Sequence, residues 1–127
     1  MESINVANAP KAIGPYCHAM KVGNLVFCSG QTPLHPESMK IEGVTIEQQT
    51  ERVLKNLTIV LEDMGLGLKD IAKTTVYLKN MSDFQGMNHV YEKIFQGHKP
   101  SRTTISVKQN PLDALVEIEC VAEIKSI

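Results

Sequence analysis

The chain has 127 residues, of which 43% are hydrophobic and 21% charged, and its formal net charge at pH 7 is −1. The length predicts a single domain over residues 1–127, and the apolar content excludes an intrinsically disordered chain. Because Lys and Arg are balanced by Asp and Glu, the charge disfavours nucleic acid and anionic membranes as partners.

The number and spacing of the cysteines and histidines disfavour disulfide bonds and metal sites. Three cysteines without a C-x-x-C pair are not typical of a secreted disulfide framework or of a thiolate zinc site. The four histidines lack a ligand spacing such as H-E-x-x-H, so we expect no metal. The N-terminus has no signal-peptide pattern and no apolar run is long enough to cross a bilayer, so we expect a cytoplasmic protein with no membrane partner.

Strands are predicted at the start of the chain. Residues 17–22 and 24–29 are short apolar-rich runs joined at Gly23-Asn24, which predicts a β-hairpin. Cys17 and Cys28 lie in these runs and are predicted to be small core residues. Residues 31–44 then read as one irregular loop. A loop of this length in a small domain is typical of a functional or a floppy segment.

The first helix has the clearest signals. Thr45 and Gln48 form a capping-box pattern, in which each side chain satisfies a backbone donor at the helix start. Apolar residues then recur at helical spacing, and Gly65 is predicted to end the helix. Residues 71–78 alternate and are rich in β-branched side chains, which predicts a strand.

A second helix is predicted to begin with a capping pair, Ser82 and Gln85, and to end at Gly97. Its apolar positions are Phe84, Met87, Tyr91, Ile94 and Phe95. Strands are predicted at residues 103–107 and 115–124. The order of elements predicts an α+β domain whose two helices cover one face of a sheet. The other face must then meet water or another subunit.

Two charged residues are candidates for chemistry. Arg102 precedes a predicted strand, where a guanidinium could bind a carboxylate through two parallel hydrogen bonds. Glu117 alternates with the apolar residues of the last strand, and burial between subunits would raise its pKa and suit it to proton transfer. Spacing alone favours the plainer interpretation of both: a surface arginine paired with a nearby acid, and a glutamate on a solvated face.

Small and polar residues supply weaker candidates. The segments 14–16 and 29–31 place Gly14 and Gly30 where backbone could approach a ligand, although turns are the commoner use of such glycines. Tyr16 offers a hydroxyl that is usually satisfied by packing. Asn88 interrupts the second helix and could point its amide at a site, or simply lie on an exposed face.

Three ordered motifs resemble the Rid family of enamine/imine deaminases, also called YjgF-like. They are Ala12-Ile13-Gly14-Pro15-Tyr16, Ser29-Gly30-Gln31 and Pro100-Ser101-Arg102-Thr103-Thr104. The resemblance runs almost end to end, including residues 74–78 and 114–122. It implies a chorismate-mutase-like (bacillus type) single domain with a mixed sheet and two helices on one face. It also implies a homotrimer in which three sheets form a central barrel, with a ligand cleft at each subunit junction.

The function that this resemblance implies is hydrolysis of 2-aminoacrylate and 2-aminocrotonate to 2-oxo acids and ammonia, as a 2-iminobutanoate/2-iminopropanoate deaminase. Such compounds escape from pyridoxal-phosphate-dependent serine/threonine dehydratases, and no cofactor is expected. By the same resemblance, Arg102 would bind the substrate carboxylate and Glu117 would position or activate water. The other implied ligand contacts, some from a neighbouring subunit, are Tyr16, Ser29, Gly30, Asn88 and Thr104.

The chain departs from the family pattern at Thr104, where many members carry cysteine, so thiol-dependent reactivity should be absent there. Asn110 also replaces a usual apolar residue. Two other functions remain open: a non-catalytic metabolite-binding, regulatory or chaperone-like module, and a translation-inhibiting ribonuclease. The near-neutral charge and the few aromatic residues disfavour the nuclease. The presence of both Arg102 and Glu117 favours catalysis over binding alone.

Overall fold

In the computed structural model, which describes residues 1–125, strands and helices alternate as an α+β arrangement. The strands are β1 Glu2–Ile4, β2 Ala19–Val22, β3 Leu25–Gln31, β4 Ile71–Leu78, β5 Ser101–Ser106 and β6 Val116–Glu123. The helices are α1 Ile46–Glu62 and α2 Phe84–Phe95. Short 3-10 turns span Leu68–Asp70, Met81–Asp83 and Pro111–Asp113.

The six strands form one mixed sheet in the order β1-β2-β3-β6-β4-β5. All neighbours are antiparallel except β4 and β5, which are parallel and connected through α2. A parallel pair requires such a crossover, because a tight hairpin can join only antiparallel strands. The predicted mixed sheet with two helices is confirmed. Strand β1 was not predicted, because its three residues are too short to show a pattern.

The predicted hairpin is confirmed at β2 and β3. Val22 pairs with Leu25, and Gly23 between them adopts a φ of 60°, in the left-handed region that favours glycine. Strand β3 extends two residues beyond the predicted end. Its pairing with β6 shifts register between Cys28 and Gln31, which is a β-bulge.

The first helix begins and ends as the sequence predicts. The Thr45 hydroxyl accepts a hydrogen bond from the Gln48 backbone N–H at 3.1 Å, and the Gln48 side chain accepts one from the Thr45 N–H at 3.2 Å. Beyond the last helical residue, Gly65 adopts a φ of 73° and its N–H is donated to the Glu62 carbonyl. Both signals are local, so they are readable from the sequence.

The predicted start of the second helix is wrong. Ser82 lies in the Met81–Asp83 turn, α2 begins at Phe84, and the predicted capping pair with Gln85 does not form. The backbone N–H groups of Asp83 and Phe84 donate to the carbonyls of Asn80 and Met81, which places Ser82 inside the 3-10 turn rather than at the start of the helix. The helix does end before Gly97, whose φ is 91°.

Strand β5 begins at Ser101 rather than at residue 103, because pairing with β4 starts at Lys73 and Ser101. Arg102 therefore lies within the strand and not before it. The last strand, β6, is confirmed with one residue fewer at each end than predicted. The side-chain direction of Arg102 now follows from the register of the sheet.

Both helices pack against the same face of the sheet, as the sequence predicts. The core between them consists of buried apolar side chains from α1, α2 and the inward positions of β3, β4 and β6. The opposite face, called the open face below, carries apolar side chains that are 36% to 45% exposed: Val22, Leu25, Phe27 and Ile105. Within residues 1–125, no helix is both long and apolar enough to cross a membrane.

The three cysteines differ in burial. Cys28 and Cys120 are directly opposite each other on β3 and β6 and are both buried in the core, which confirms the prediction for Cys28. The same prediction is wrong for Cys17, which is only half-buried and precedes β2 rather than lying in it.

Candidate active site

Two cavities contain most of the residues that the sequence proposes for the site. The first, of about 360 Å³, is lined by Tyr16, Ser29, Gly30 and Glu117 together with the segment 10–13. The second, of about 780 Å³, is lined by Asn88 and Arg102 together with the end of α2. We call them the Glu117 half-site and the Arg102 half-site.

Glu117 lies on the open face of β6 and is half-buried beside the β3 bulge. A Cβ atom at Gly30 would lie 2.9 Å from the Glu117 Cδ atom, so the carboxylate occupies the space that a side chain at position 30 would need. Burial raises the pKa of Glu117, and the negative charge of Glu119 raises it further. The structure thus places a carboxyl group of weakened acidity in the cavity, rather than on a fully solvated face.

The hydroxyl groups of Ser29 and Tyr16 hold the backbone around this cavity. The Ser29 hydroxyl donates a hydrogen bond to the Cys17 carbonyl at 2.7 Å. The Tyr16 hydroxyl accepts one from the Ile13 N–H at 3.3 Å, and the ring is 47% exposed. The Tyr16 ring is therefore not packed in the core, although its hydroxyl has a partner.

Arg102 is half-buried at the edge of the sheet, and its guanidinium lies over two aromatic rings. Its central carbon is 4.8 Å from the centroid of the Tyr91 ring and 5.6 Å from that of Phe84. One terminal nitrogen is 4.0 Å from the Met87 sulfur. Among residues 1–125, no carboxylate forms an ion pair with Arg102. The plainer interpretation, a surface arginine paired with an acid, is wrong.

Asn88 and Thr104 complete the predicted set. Asn88 is half-buried on α2 and lines the same cavity as Arg102. Thr104 follows Arg102 by two residues in β5 and so shares its face of the sheet. Its hydroxyl oxygen is buried and has no hydrogen-bond partner in the described part of the chain.

The two half-sites lie on opposite faces of the sheet. Arg102 is paired with Thr74, whose side chain is buried under α2, whereas Glu117 is paired with Tyr77 on the open face. Strand β4 separates their strands by about 10 Å, and their partners Thr74 and Tyr77 are three residues apart along β4, which adds about 10 Å in the perpendicular direction. One chain alone does not bring Arg102 and Glu117 to the same ligand.

Two buried polar residues that support the Glu117 half-site were missed in the sequence. His18 accepts a hydrogen bond from the Val6 N–H at 2.8 Å, and its other ring nitrogen is 2.7 Å from the Pro10 carbonyl. Asn56 on α1 donates to the carbonyls of Thr32 and Leu34, at 3.1 and 2.8 Å. These partners lie 8 to 24 residues away in the chain, so no local pattern reveals them.

The histidines and acidic residues do not assemble a metal site in the part of the chain that is described: no three His, Cys, Asp or Glu side chains there are close enough to hold an ion. The side chains that line the two half-sites supply a guanidinium, a carboxyl group and hydroxyl and backbone hydrogen-bonding groups.

Comparison with known proteins assigns the family. A family model described as Endoribonuclease L-PSP matches residues 6–124. Reactive Intermediate Deaminase A, chloroplastic, of Arabidopsis thaliana is 42% identical over 121 residues, which are 95% of this chain and 65% of the relative. The chain belongs to the Rid family. The resemblance carried by the three motifs is thereby confirmed.

Further similarities extend over the whole Rid domain. A RutC family protein of Pyrococcus abyssi is 46% identical over 121 residues, covering 95% of each chain. The crystal structure of Escherichia coli TdcF with bound serine superposes with a TM-score of 0.92 at 34% identity, covering 98% of this chain and 100% of the other. The mixed sheet with two helices on one face is therefore shared with solved relatives.

Asn110, the other departure from the Rid pattern, has a structural explanation. It is buried, and its amide nitrogen donates to the carbonyls of Tyr77 and Ala114, both at 3.1 Å. These bonds tie the turn before β6 to β4. The substitution therefore satisfies backbone acceptors and has no contact that suggests catalysis.

Proposed function

We propose that this Rid protein hydrolyses small enamine/imine acids, such as 2-aminoacrylate and 2-aminocrotonate, to 2-oxo acids and ammonia. The observation that carries the proposal is the half-buried Arg102 guanidinium without a carboxylate partner in the described chain. A cation held in this way supplies N–H donors for an external carboxylate. The Arabidopsis relative named as a reactive intermediate deaminase and the serine-bound TdcF structure support an amino-acid-derived ligand.

Binding the acid end of the substrate would fix its reacting carbon. In the imine form that carbon is electrophilic, and addition of water gives a tetrahedral carbinolamine that loses ammonia and leaves the 2-oxo acid. These imines already react with water unaided. Orientation of the imine and of one water molecule can therefore supply much of the acceleration without a cofactor.

Glu117 is proposed to hold that water and accept its proton. Burial and the Glu119 charge raise its pKa, which makes the carboxylate a better base than an ordinary glutamate. The same group, once protonated, can return the proton to the departing nitrogen. Tyr16, Ser29 and the Gly30 backbone would line the cleft around it.

A complete cleft requires two chains in this proposal, because Arg102 and Glu117 face opposite sides of one sheet. The Arg102 half-site, with Asn88 and Thr104, would close over the Glu117 half-site of a neighbour. The exposed apolar side chains of the open face would be buried in the same contact. We propose the homotrimer with a central barrel that the family resemblance implies, and light scattering tests it: a stable monomer with full activity would contradict the shared cleft.

The activity is tested with a pyridoxal-phosphate-dependent serine/threonine dehydratase that generates the imine in situ. The protein should accelerate release of the 2-oxo acid, and semicarbazide trapping should show less free imine. Arg102→Ala should abolish the acceleration. Lys108→Ala, which removes an exposed positive charge elsewhere, is the matched control and should leave it unchanged. Full acceleration by the Arg102→Ala variant would contradict the assignment.

A further inference from the structure

The guanidinium of Arg102 forms one layer of an aromatic stack at the edge of the sheet. It lies 4.8 Å from the Tyr91 ring centroid, and the other neighbour of Tyr91 is Phe95, with ring centroids 4.4 Å apart and planes inclined by 27°. Phe84 adds a second ring 5.6 Å from the guanidinium. The guanidinium carbon thus lies over two ring faces, and one terminal nitrogen is directed at the Met87 sulfur, which leaves the other N–H groups for a ligand.

The Tyr91 ring is itself fixed by a buried hydrogen bond. Its hydroxyl is 2.8 Å from the hydroxyl of Thr74, a residue with no exposed surface. Thr74 is also the residue of β4 that pairs with Arg102 of β5. The three residues therefore close a triangle: strand pairing joins Thr74 to Arg102, a hydrogen bond joins Thr74 to Tyr91, and stacking joins Tyr91 to Arg102.

The Tyr91 hydroxyl is uncharged near pH 7, which is consistent with contact between its ring and the Arg102 guanidinium. Burial raises the pKa of the hydroxyl, while the Thr74 hydrogen bond and the Arg102 charge lower it to a smaller extent. The phenol is therefore neutral near pH 7, and what attracts the guanidinium is the face of the ring rather than a negative charge.

We propose that Tyr91, oriented by Thr74, is the positioning residue that presents the Arg102 guanidinium to the carboxylate of the ligand. This inference deepens the proposed function and rests on it for the nature of the ligand. A free arginine side chain has many rotamers, and ordering it on binding reduces affinity. The stack orders it beforehand, so that binding an acid requires less loss of freedom.

The test measures binding of 2-oxobutanoate and of its uncharged amide by calorimetry. Tyr91→Leu removes the ring and should lower the affinity for 2-oxobutanoate by roughly tenfold, which is within the range estimated for partly desolvated cation–π contacts. The affinity for the amide should not change. Tyr91→Phe keeps the ring and should stay within about twofold of the parent, the spread expected when the stacking face is retained. Leu61→Ala, a core truncation in α1, is the control for lost stability and should not change the preference for the acid.

Thr74→Val tests the second half of the inference. It removes the same hydrogen bond that Tyr91→Phe removes, so it should lower the affinity for 2-oxobutanoate by a similar factor, about twofold, in the parent and by a smaller factor in the Tyr91→Phe background, where the hydroxyl it orients is already absent. Parent-like binding by Tyr91→Leu would overturn the proposal. So would a Tyr91→Phe variant as weak as Tyr91→Leu, because the ring face would then not be the decisive contact.

A ligand-independent measurement separates this inference from the proposed function. The Arg102 Nε–H proton should be shifted upfield by the ring current in the parent and in Tyr91→Phe, and should move toward its usual position in Tyr91→Leu. If the parent binds acid and amide equally, the carboxylate site fails while this NMR comparison still decides the positioning. An unchanged Arg102 resonance in Tyr91→Leu would overturn the positioning itself.

Discussion

The Arg102 and Glu117 half-sites are built in different ways. Arg102 is supported by side chains on regular elements, with Tyr91 on α2 and Thr74 on β4. Glu117 lies beside irregular backbone, where the His18 ring accepts a hydrogen bond from the Val6 N–H and the Asn56 amide donates one to the Leu34 carbonyl. The first half-site thus depends on packing between secondary-structure elements, and the second on a bulge and two tethered segments. Substitutions should therefore damage them through different measurable quantities.

The largest effect on kcat is expected for a substitution of the proposed base, Glu117. Glu117→Gln keeps the size of the side chain and removes its ability to accept a proton, so kcat should fall by roughly 10² to 10⁴, the usual contribution of general acid–base catalysis. Binding of 2-oxobutanoate should change little, since the carboxylate is assigned to Arg102. Calorimetry and the coupled dehydratase assay measure the two quantities. A variant that loses binding but keeps kcat would reverse the assigned roles.

A smaller loss is expected at Gly30. Gly30→Ala places a methyl group 2.9 Å from the Glu117 Cδ atom, so the carboxylate must rotate away, and we expect kcat to fall by roughly tenfold to a hundredfold through misplacement of the base. The melting temperature should change little because the displaced group is a side-chain end. Gly67→Ala is the matched control, since nothing lies within 4 Å of a Cβ atom there and kcat should be retained.

The pH dependence of kcat/KM tests whether the pKa of Glu117 is raised. Because burial and Glu119 raise the pKa of Glu117, the acidic limb of kcat/KM should lie above pH 4.5, the ordinary value. The rate should fall as the pH drops through that limb, because protonation removes the base. Glu119→Gln removes the neighbouring negative charge, which favours the ionised form and should move the limb to lower pH. A limb that stays in place would show that Glu117 is not the titrating group.

The difference between the half-sites also explains what could be read from the sequence. The Gly23 turn and the Thr45–Gln48 capping box depend on neighbouring residues, and both were predicted correctly. The start of α2 was not, because the Met81–Asp83 turn replaces the cap that Ser82 suggested. A local sequence pattern predicts local hydrogen bonds. It does not show whether the folded chain forms the Ser82 cap or the Met81–Asp83 turn at the start of α2.

The candidate site was predictable in residue type and not in arrangement. A guanidinium at position 102 and a carboxylate at position 117 were identifiable, but their burial and their opposite directions depend on the register of β4 with β5 and β6. Tyr91 was assigned only an apolar helical position. The spacing of Phe84, Met87 and Tyr91 did carry a signal, because residues three, four and seven apart share one helix face, and all three contact Arg102.

The smallest effect is expected at Thr104, where the scheme involves no covalent bond to the protein. Thr104 lies on the Arg102 side of the sheet with a buried hydroxyl that lacks a partner in the described chain, so Thr104→Cys exchanges it for a thiol that tolerates such surroundings. We expect kcat within about twofold of the parent, since water held by Glu117 is the nucleophile and no acceleration is assigned to position 104.

Peptide mapping after iodoacetamide treatment would report whether the new thiol is accessible, with half-buried Cys17 as the internal reference. A rise in kcat above roughly tenfold would mean that a thiol can take over the attack. Hydrolysis through Arg102 and Glu117 would then be one of two routes that this cleft supports.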